Sequence, residues 1–186
     1  IIVIGNSMSQ LPALLQVMRP YQWSKNVLVF LPCIAAQDFS FQTVFFSFIA
    51  FVSFSLTASA VYILNDIRDL RSDQLHPTKK NRAFASGNLK VAVGLSIAPF
   101  FIGAALISAV FVSPLLALVL LGYFLSNLLY TLVLKKMLLV DIFVLASFYA
   151  TRVLAGSYAS GIEISSWLIN FSLFFFFSLA GIKRAA

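Results

Sequence analysis

Three aspartates lie close together at the end of a long apolar stretch in this 186-residue chain, which has only six acidic residues. If the helix predicted for that stretch continues, Asp66, Asp69 and Asp73 share one face within about 60° of arc. Carboxylates this close repel one another unless a cation lies between them, and the negative end of the helix dipole adds to the repulsion. An all-oxygen ligand set favours Mg²⁺, which takes phosphate oxygens and waters as its remaining ligands. The spacing therefore predicts a magnesium site.

A solvated acidic helix end, balanced by Arg68 and Arg71, is the alternative interpretation. The segment that follows favours the metal site, because residues 74–87 combine basic side chains with a threonine and a glycine. Mg²⁺ and cations together suit a diphosphate, whose charge they neutralise. His76 precedes a proline, so by itself it indicates a turn rather than a base. The candidate contacts in and around this segment are Asn65, His76, Lys79, Lys80 and Arg82.

The composition indicates the kind of structure that positions these residues. Hydrophobic residues make up 61% of the chain and charged residues 10%, and the mean hydropathy is +0.97, which excludes an ordinary soluble domain. Runs of about 20 apolar residues cross a bilayer as helices. The sequence therefore predicts an all-α transmembrane bundle, although the first candidate span is short and contains Pro32. The six predicted spans are residues 22–36, 43–64, 91–112, 114–134, 138–157 and 166–182.

The basic residues predict the orientation in the membrane. Twelve of the thirteen Lys and Arg residues lie before or near the start of the first span, in alternate connections, or after the last span, all on one side. Positive charge marks the cytoplasmic side, so we expect the N-terminus and the acidic segment to be cytoplasmic. The net charge of +7 then reflects membrane topology and anionic lipids or substrates, and it gives little reason to expect a nucleic-acid partner.

The thirteenth cation, Arg152, is placed well inside a predicted span, which is costly unless it faces a polar interior. Asp141 lies eleven residues earlier, about three helical turns or roughly 16 Å along the same face, and Tyr149 lies one turn before Arg152. An interhelical ion pair and a snorkelling arginine are the structural alternatives to a functional role. The preceding span and its end supply further residues that could line the same cavity or serve in packing and hydrogen bonds between helices: Ser126, Asn127, Tyr130 and Lys135.

The chain resembles the UbiA superfamily of intramembrane prenyltransferases, whose pattern N-D-x-x-D-x-x-x-D is matched from Asn65 to Asp73. Within it, the chain is most similar to the decaprenyl-phosphate phosphoribosyltransferase family. Four stretches carry that resemblance: the R-P-x-Q-W-x-K-N opening from Arg19, the aspartate motif that runs into H-P-T-K from His76, Leu134-Lys135 before the helix that holds Y-x-x-R-x-x-A-G from Tyr149, and the span that Trp167 leads to Lys183-Arg184. The chain departs from the family at Ala83, where proline is common.

This resemblance implies a fold of nine spans, of which six are expected here, so we expect the chain to be truncated at its C-terminal side. Residues 17–186 would form the UbiA-like domain, and residues 1–16 have no assigned role. The implied metal ligands are Asp66, Asp69 and Asp73, and the catalytic set adds Lys79 and Arg152. The implied substrate-binding residues are Lys25, Asn65, His76, Lys80, Arg82, Lys135, Asp141, Tyr149, Lys183 and Arg184.

The favoured hypothesis is a Mg²⁺-dependent transferase in the bacterial plasma membrane that moves 5-phosphoribosyl from its 1-diphosphate to a polyprenyl phosphate. The first alternative is prenyl transfer from a polyprenyl diphosphate to an aromatic or other acceptor, which uses the same metal and basic residues. A second alternative, of another class, is a non-catalytic membrane carrier or assembly subunit. The expected partners are a polyprenyl lipid, a diphosphate donor and the bilayer, with no nucleic acid. The oligomeric state, including a homo-oligomer, stays open.

Overall fold

A computed structural model of the protein describes residues 7–133 and 138–185, and within these ranges the chain forms helices and no strand. The all-α prediction is confirmed. The helices are α1 (Ser7–Met18), a 3₁₀ helix (Pro20–Phe30), α2 (Leu31–Ala36), α3 (Phe41–Arg68), α4 (Leu70–Leu75), a short 3₁₀ helix (Lys79–Asn81), α5 (Val91–Val112), α6 (Pro114–Leu132), α7 (Leu138–Ser160) and α8 (Ser166–Ala185).

Four helices of the described chain are long and apolar enough to cross a membrane: α3, α5, α6 and the Ile142–Ser160 part of α7. The apolar part of α8, Ser166–Leu179, is shorter. The span predicted over residues 22–36 is not one α-helix, because the 3₁₀ helix occupies its first half and α2 begins just before Pro32. Proline is tolerated in the first turn of a helix and not in its middle. The transmembrane bundle is confirmed, and the count of six spans stays a prediction.

The 28-residue helix α3 starts at a well-capped N-terminus. The Ser40 hydroxyl accepts a hydrogen bond from the Thr43 backbone N–H at 3.4 Å, as serine commonly does at this position. The Asp38 carboxylate accepts the Ser40 backbone N–H at 3.0 Å and the Thr43 hydroxyl at 2.8 Å. These hydrogen bonds stabilise the charged form of Asp38 and hold its pKa below the usual range, and the bond from the Ser40 N–H has the largest effect.

Small polar residues allow other elements to pack closely against α3. Ser53, Ser55 and Ser59 are buried, and small residues let helix backbones approach inside membranes. The 3₁₀ helix that follows α1 runs alongside: Trp23 Nε1 donates to the Ser59 hydroxyl at 3.1 Å, and Asn26 Nδ2 donates to the Ser55 hydroxyl at 3.0 Å. The opening segment is therefore fixed along the second half of α3.

The connection between α4 and α5 is anchored by apolar side chains. Ala83, Phe84 and Leu89 are buried in a cluster with residues of α1, α3 and α5. The Phe84 ring fills the space beside Gly94, where an added Cβ would lie 2.6 Å from the ring. Gly87 has a φ of +79°, a left-handed conformation that glycine adopts without strain. Because Phe84 is held in this way, the residues just before it are held near the end of α3.

Helix α7 and the 3₁₀ helix touch backbone to backbone. Gly156 is buried, and a Cβ added there would overlap the carbonyl oxygen of Val29. Val29 itself belongs to the main core, together with Phe54 of α3 and Phe148 of α7. This close approach sets the distance between the opening segment and α7, and both elements contribute to the cavity described below.

We expect Gly156→Ala to destabilise the protein by about 1–3 kcal/mol, because the Val29 carbonyl is backbone and must shift to make room. The measurement is thermal unfolding of the purified protein in detergent. Gly122→Ala in α6 is the matched control, because an added Cβ there meets no atom within 4 Å. The control should keep or slightly raise the melting temperature. Equal melting temperatures for the two variants would contradict the close contact.

Candidate active site

The aspartate motif lies where α3 ends and the chain bends. Helix α3 stops at Arg68, and α4 starts at Leu70, so the continuous helix considered from the sequence is interrupted at Asp69. The Asp69 N–H still donates to the Asn65 carbonyl and the Asp73 N–H to the Asp69 carbonyl, both at 2.9 Å. The hydrogen-bond pattern of an α-helix therefore continues across this interruption, and Asp66 and Asp73 are both buried.

Two arginines hold these buried carboxylates. Arg82 Nη1 lies 2.7 Å from Asp73 Oδ2 and 3.1 Å from Asp66 Oδ1, and Arg19 Nη2 lies 2.7 Å from the same Asp66 oxygen. We call these four residues the carboxylate–arginine cluster. The alternative of a solvated acidic helix end is wrong for Asp66 and Asp73. Arg68 is not a balancing cation here, because it donates to the Thr131 carbonyl at 2.5 Å.

The predicted triad of metal ligands is only partly assembled. Within the described chain, no group of three or more His, Cys, Asp or Glu side chains is close enough to hold a metal. Asp69 is partly exposed and forms no ion pair with a described residue. Asp66 and Asp73 do fit a bridging cation, because a guanidinium nitrogen already lies between their oxygens. Their hard oxygen donors suit Mg²⁺.

An outer cavity of about 260 Å³ opens beside the cluster. Helix α1 contributes to its wall, and Gln16 Nε2 donates to the Asn81 carbonyl at 3.5 Å, so α1 reaches the loop that carries Arg82. The segment without an assigned role thus supplies part of the wall. The cavity is lined by Gln16, Val17, Arg19, Tyr21, Asp66, Arg82 and Ala83.

An inner cavity of about 180 Å³ lies on the other side of the motif, between the 3₁₀ helix, α3, α6 and α7. It brings together six residues named from the sequence: Lys25, Asn65, Asn127, Tyr130, Tyr149 and Arg152. Its other lining residues are Val61, Tyr62, Thr131, Leu145 and Phe148. Asn65 lines this cavity and the adjacent Asp66 lines the outer one, so the motif separates the two.

Neutral groups surround the buried Arg152 guanidinium. Its Nε donates to Asn26 Oδ1 at 2.8 Å, its Nη1 donates to the Phe148 carbonyl, and its Nη2 lies 3.3 Å from the Tyr123 hydroxyl. Its central carbon lies 5.0 to 5.4 Å from the ring centres of Phe54, Tyr123 and Tyr149, which is cation–π geometry. Arg152 forms no ion pair with a side chain that the structure describes. Its positive charge therefore remains uncompensated by any described carboxylate beside the inner cavity.

The remaining predicted residues lie elsewhere. His76 is exposed, and its Nδ1 lies 3.3 Å from the Thr78 N–H and 3.4 Å from the Lys79 N–H, which is the role of a turn residue. Lys79 and Lys80 are exposed and do not line either cavity. Lys135 lies outside the described residues. The helices carrying Asp141, Lys183 and Arg184 are described, but the side chains of these three residues are not.

Arg19, Asn26, Tyr62 and Tyr123 belong to the site but were not selected from the sequence. Arg19 and Asn26 stand in the R-P-x-Q-W-x-K-N pattern, so a signal was present, although the pattern does not reveal which residue each would contact. Tyr62 lies one turn before Asp66 on α3, and its ring centre is 5.0 Å from the Arg19 guanidinium. Tyr123 gave no signal, because it is one aromatic residue within an apolar span.

The fold and the site define a helical membrane protein with an acidic pair at one end of a bundle and a cationic cavity beside it. The chain belongs to the UbiA prenyltransferase family, whose model matches residues 27–185. It is 38% identical over 174 residues to a decaprenyl-phosphate phosphoribosyltransferase of Mycobacterium tuberculosis. It is 34% identical over 169 residues to the nodulation protein NoeC of Azorhizobium caulinodans.

These matches cover 90% and 89% of this chain but only 57% and 54% of the two relatives, so the chain spans little more than half of their length. A solved structure shares the fold: a UbiA homolog from Archaeoglobus fulgidus, bound to DMAPP and Mg²⁺, with a TM-score of 0.72 and 16% identity. That match covers 89% of this chain and 60% of the other. The prediction of a UbiA-like fold is confirmed.

We expect Arg152→Lys and Asn26→Ala each to lower the free energy of unfolding by about 2 kcal/mol, because a buried hydrogen bond to a charged group is lost. The double variant should lose less than the sum, with a coupling of about 1 kcal/mol or more. The measurement is a double-mutant cycle by thermal unfolding in detergent. The exposed Arg71, changed to Lys, is the control and should leave stability unchanged. Strict additivity would contradict the direct contact between Arg152 and Asn26.

Proposed function

We propose that the protein is a Mg²⁺-dependent transferase that moves the 5-phosphoribosyl group from its 1-diphosphate to a polyprenyl phosphate. The reaction would take place at the cytoplasmic face of the bacterial plasma membrane. One observation carries the proposal: the acidic pair and the cationic inner cavity are neighbours, joined through the adjacent residues Asn65 and Asp66. A site for one diphosphate would thus lie next to a site for a second anion.

The charge of the inner cavity supports a phosphate acceptor over a neutral one. Lys25 and Arg152 line it, and its described lining contains no carboxylate. The buried Arg152 guanidinium, which has no carboxylate beside it among the described residues, favours an anionic ligand, because the ligand restores the charge balance. A neutral aromatic acceptor would not restore this balance. The similarity to a relative named as a decaprenyl-phosphate phosphoribosyltransferase supports the same choice.

Asp66 and Asp73, with Asp69 brought in from the bend, would hold Mg²⁺ on the donor diphosphate. The metal would neutralise charge on the diphosphate as it departs. Arg82 and Arg19, which line the outer cavity, would bind the remaining phosphate oxygens. An oxygen of the acceptor phosphate forms the new bond to the ribosyl C1, the C1–O bond to the diphosphate breaks, and pyrophosphate leaves. No base is needed, because the acceptor phosphate is already ionised.

Prenyl transfer to an aromatic acceptor is the second candidate, and the ring-lined wall of the inner cavity favours it. Tyr62, Tyr130, Phe148 and Tyr149 line this cavity, and aromatic faces stabilise positive charge, such as that of an allylic cation. The Archaeoglobus fulgidus homolog that shares the fold is bound to a prenyl diphosphate, DMAPP. The carrier or assembly-subunit alternative has less support, because membership of a prenyltransferase family favours an enzyme.

A substrate-pair assay on the purified protein in detergent tests the proposal. We expect 5-phosphoribosyl-1-diphosphate and a polyprenyl phosphate with Mg²⁺ to give a polyprenyl phosphoribosyl product and pyrophosphate, identified by mass spectrometry. A prenyl diphosphate with hydroxybenzoate should give no product, and excess EDTA should abolish turnover. Product from the second pair alone would favour prenyl transfer, and full turnover in EDTA would contradict the metal site.

Site variants in the same assay serve as its controls. Asp66→Asn and Asp73→Asn should each lower kcat/KM by about 10²-fold or more, because each removes a charged ligand from the reacting centre. Glu163→Gln, an exposed carboxylate in the turn between α7 and α8, should leave kcat/KM unchanged. Size-exclusion profiles separate lost activity from lost folding, which matters because Asp66→Asn leaves Arg19 without its partner.

A further inference from the structure

Arg19 has an unusual backbone conformation. Its φ of 51° and ψ of 59° are left-handed, a region that residues with a side chain rarely adopt, and the following Pro20 restricts it further. Such a conformation persists only where its surroundings hold it. The side chain is held by the ion pair to Asp66 and by the Tyr62 ring, and the carbonyl accepts the Gln22 N–H at 2.8 Å. The fold thus places this guanidinium at Asp66.

One oxygen atom accepts two guanidinium groups at this point. Asp66 Oδ1 lies 2.7 Å from Arg19 Nη2 and 3.1 Å from Arg82 Nη1, and the carboxylate is buried. A divalent cation bound to this oxygen would compete for the same lone pairs and would stand beside two positive charges. Repulsion between such charges is strong where water is excluded. Arg19 therefore competes with a metal ion at Asp66.

A diphosphate in the outer cavity would reverse this effect. Arg19 and Arg82 both line that cavity, so each guanidinium can contact an anion there. Arginine binds phosphate oxygens through paired hydrogen bonds. The negatively charged diphosphate would then lie between the guanidinium groups and the metal and reduce the repulsion between them. The same side chain then opposes binding of the metal alone and favours binding of the metal with its anion.

We propose that Arg19 is a positioning residue that makes metal binding depend on the diphosphate. This inference rests on the proposed function, because it takes the diphosphate site as given. To that function it adds a role for Arg19 and an order in which the ligands bind. Coupling of this kind is reciprocal, so the metal must strengthen diphosphate binding by the same factor. The protein would then bind the metal–diphosphate pair and discriminate against free divalent cations.

The test uses two binding measurements on the purified protein in detergent. Mn²⁺ binding without any anion is measured from the free-ion signal in electron paramagnetic resonance. Binding of labelled inorganic pyrophosphate is measured in saturating Mg²⁺. For Arg19→Gln we expect Mn²⁺ to bind about fivefold more tightly and pyrophosphate about tenfold more weakly. A residue with only a structural role would change both affinities in the same direction or leave both unchanged, and either result would overturn the proposal.

Arg71→Gln is the matched control for net charge. It removes one positive charge from α4, between Asp69 and Asp73 in sequence, where Arg71 is exposed and forms no ion pair with a described residue. Both affinities of this variant should stay within about twofold of the parent values, because exposed charges are screened. Opposite shifts of the same size in Arg71→Gln would overturn the assignment to Arg19.

Two more variants keep the result interpretable. Arg19→Lys gives a usable result even if Arg19→Gln folds poorly. It retains the charge but loses the planar donors of arginine. Pyrophosphate should therefore bind more weakly, and the affinity for Mn²⁺ should not fall. An Arg19→Lys protein that binds both ligands like the parent would overturn the proposal. Asp66→Asn should abolish tight Mn²⁺ binding, and unchanged Mn²⁺ binding in that variant would refute the metal site of the proposed function itself. Loss in Asp66→Asn without opposite shifts in Arg19→Gln would refute only the role of Arg19.

Discussion

Two carboxylates buried on either side of the junction between α3 and α4 must be neutralised, and much of the structure serves to bring cations to them. Burying apolar surface stabilises the fold, whereas burying a charge without a partner is very costly. Arg82 reaches Asp66 and Asp73 because Phe84 is packed against Gly94 and fixes the loop. Arg19 reaches Asp66 because the opening segment is hydrogen-bonded along α3. Two separate parts of the chain thus converge on one acidic pair.

The buried charge of Arg152 is stabilised in a different way from the two carboxylates. Arg152 is held by an amide oxygen, a carbonyl and aromatic rings, with no described carboxylate beside it. Those neutral partners accept three hydrogen bonds from its five N–H groups and leave its charge available to an anion. Asn26 connects α3 with α7, because its side chain donates to Ser55 of α3 and accepts from Arg152 of α7. An acidic centre and a basic centre on either side of Asn65 suit a reaction between two phosphate-bearing substrates.

The sequence predicted the class of fold and much of the inner cavity, because both depend on local signals. Apolar runs give helices, and α5 has the predicted bounds, Val91–Val112. Six of the eleven residues that line this cavity were named from the sequence: Lys25, Asn65, Asn127, Tyr130, Tyr149 and Arg152. The partners of the aspartates were not predictable, because long-range packing decides which arginine approaches. The bend at Asp69 and the 3₁₀ form of the first segment also depend on contacts far away in sequence.

The most direct test of the account is an experimental structure of the protein with Mg²⁺ and inorganic pyrophosphate. In the free protein the arginines of the carboxylate–arginine cluster occupy the place of a metal, and on binding they would exchange onto its anion. We expect Mg²⁺ between Asp66 and Asp73, with Arg19 and Arg82 moved onto the pyrophosphate in the outer cavity. Density that leaves both arginines on the carboxylates, with metal and pyrophosphate bound elsewhere, would contradict the account.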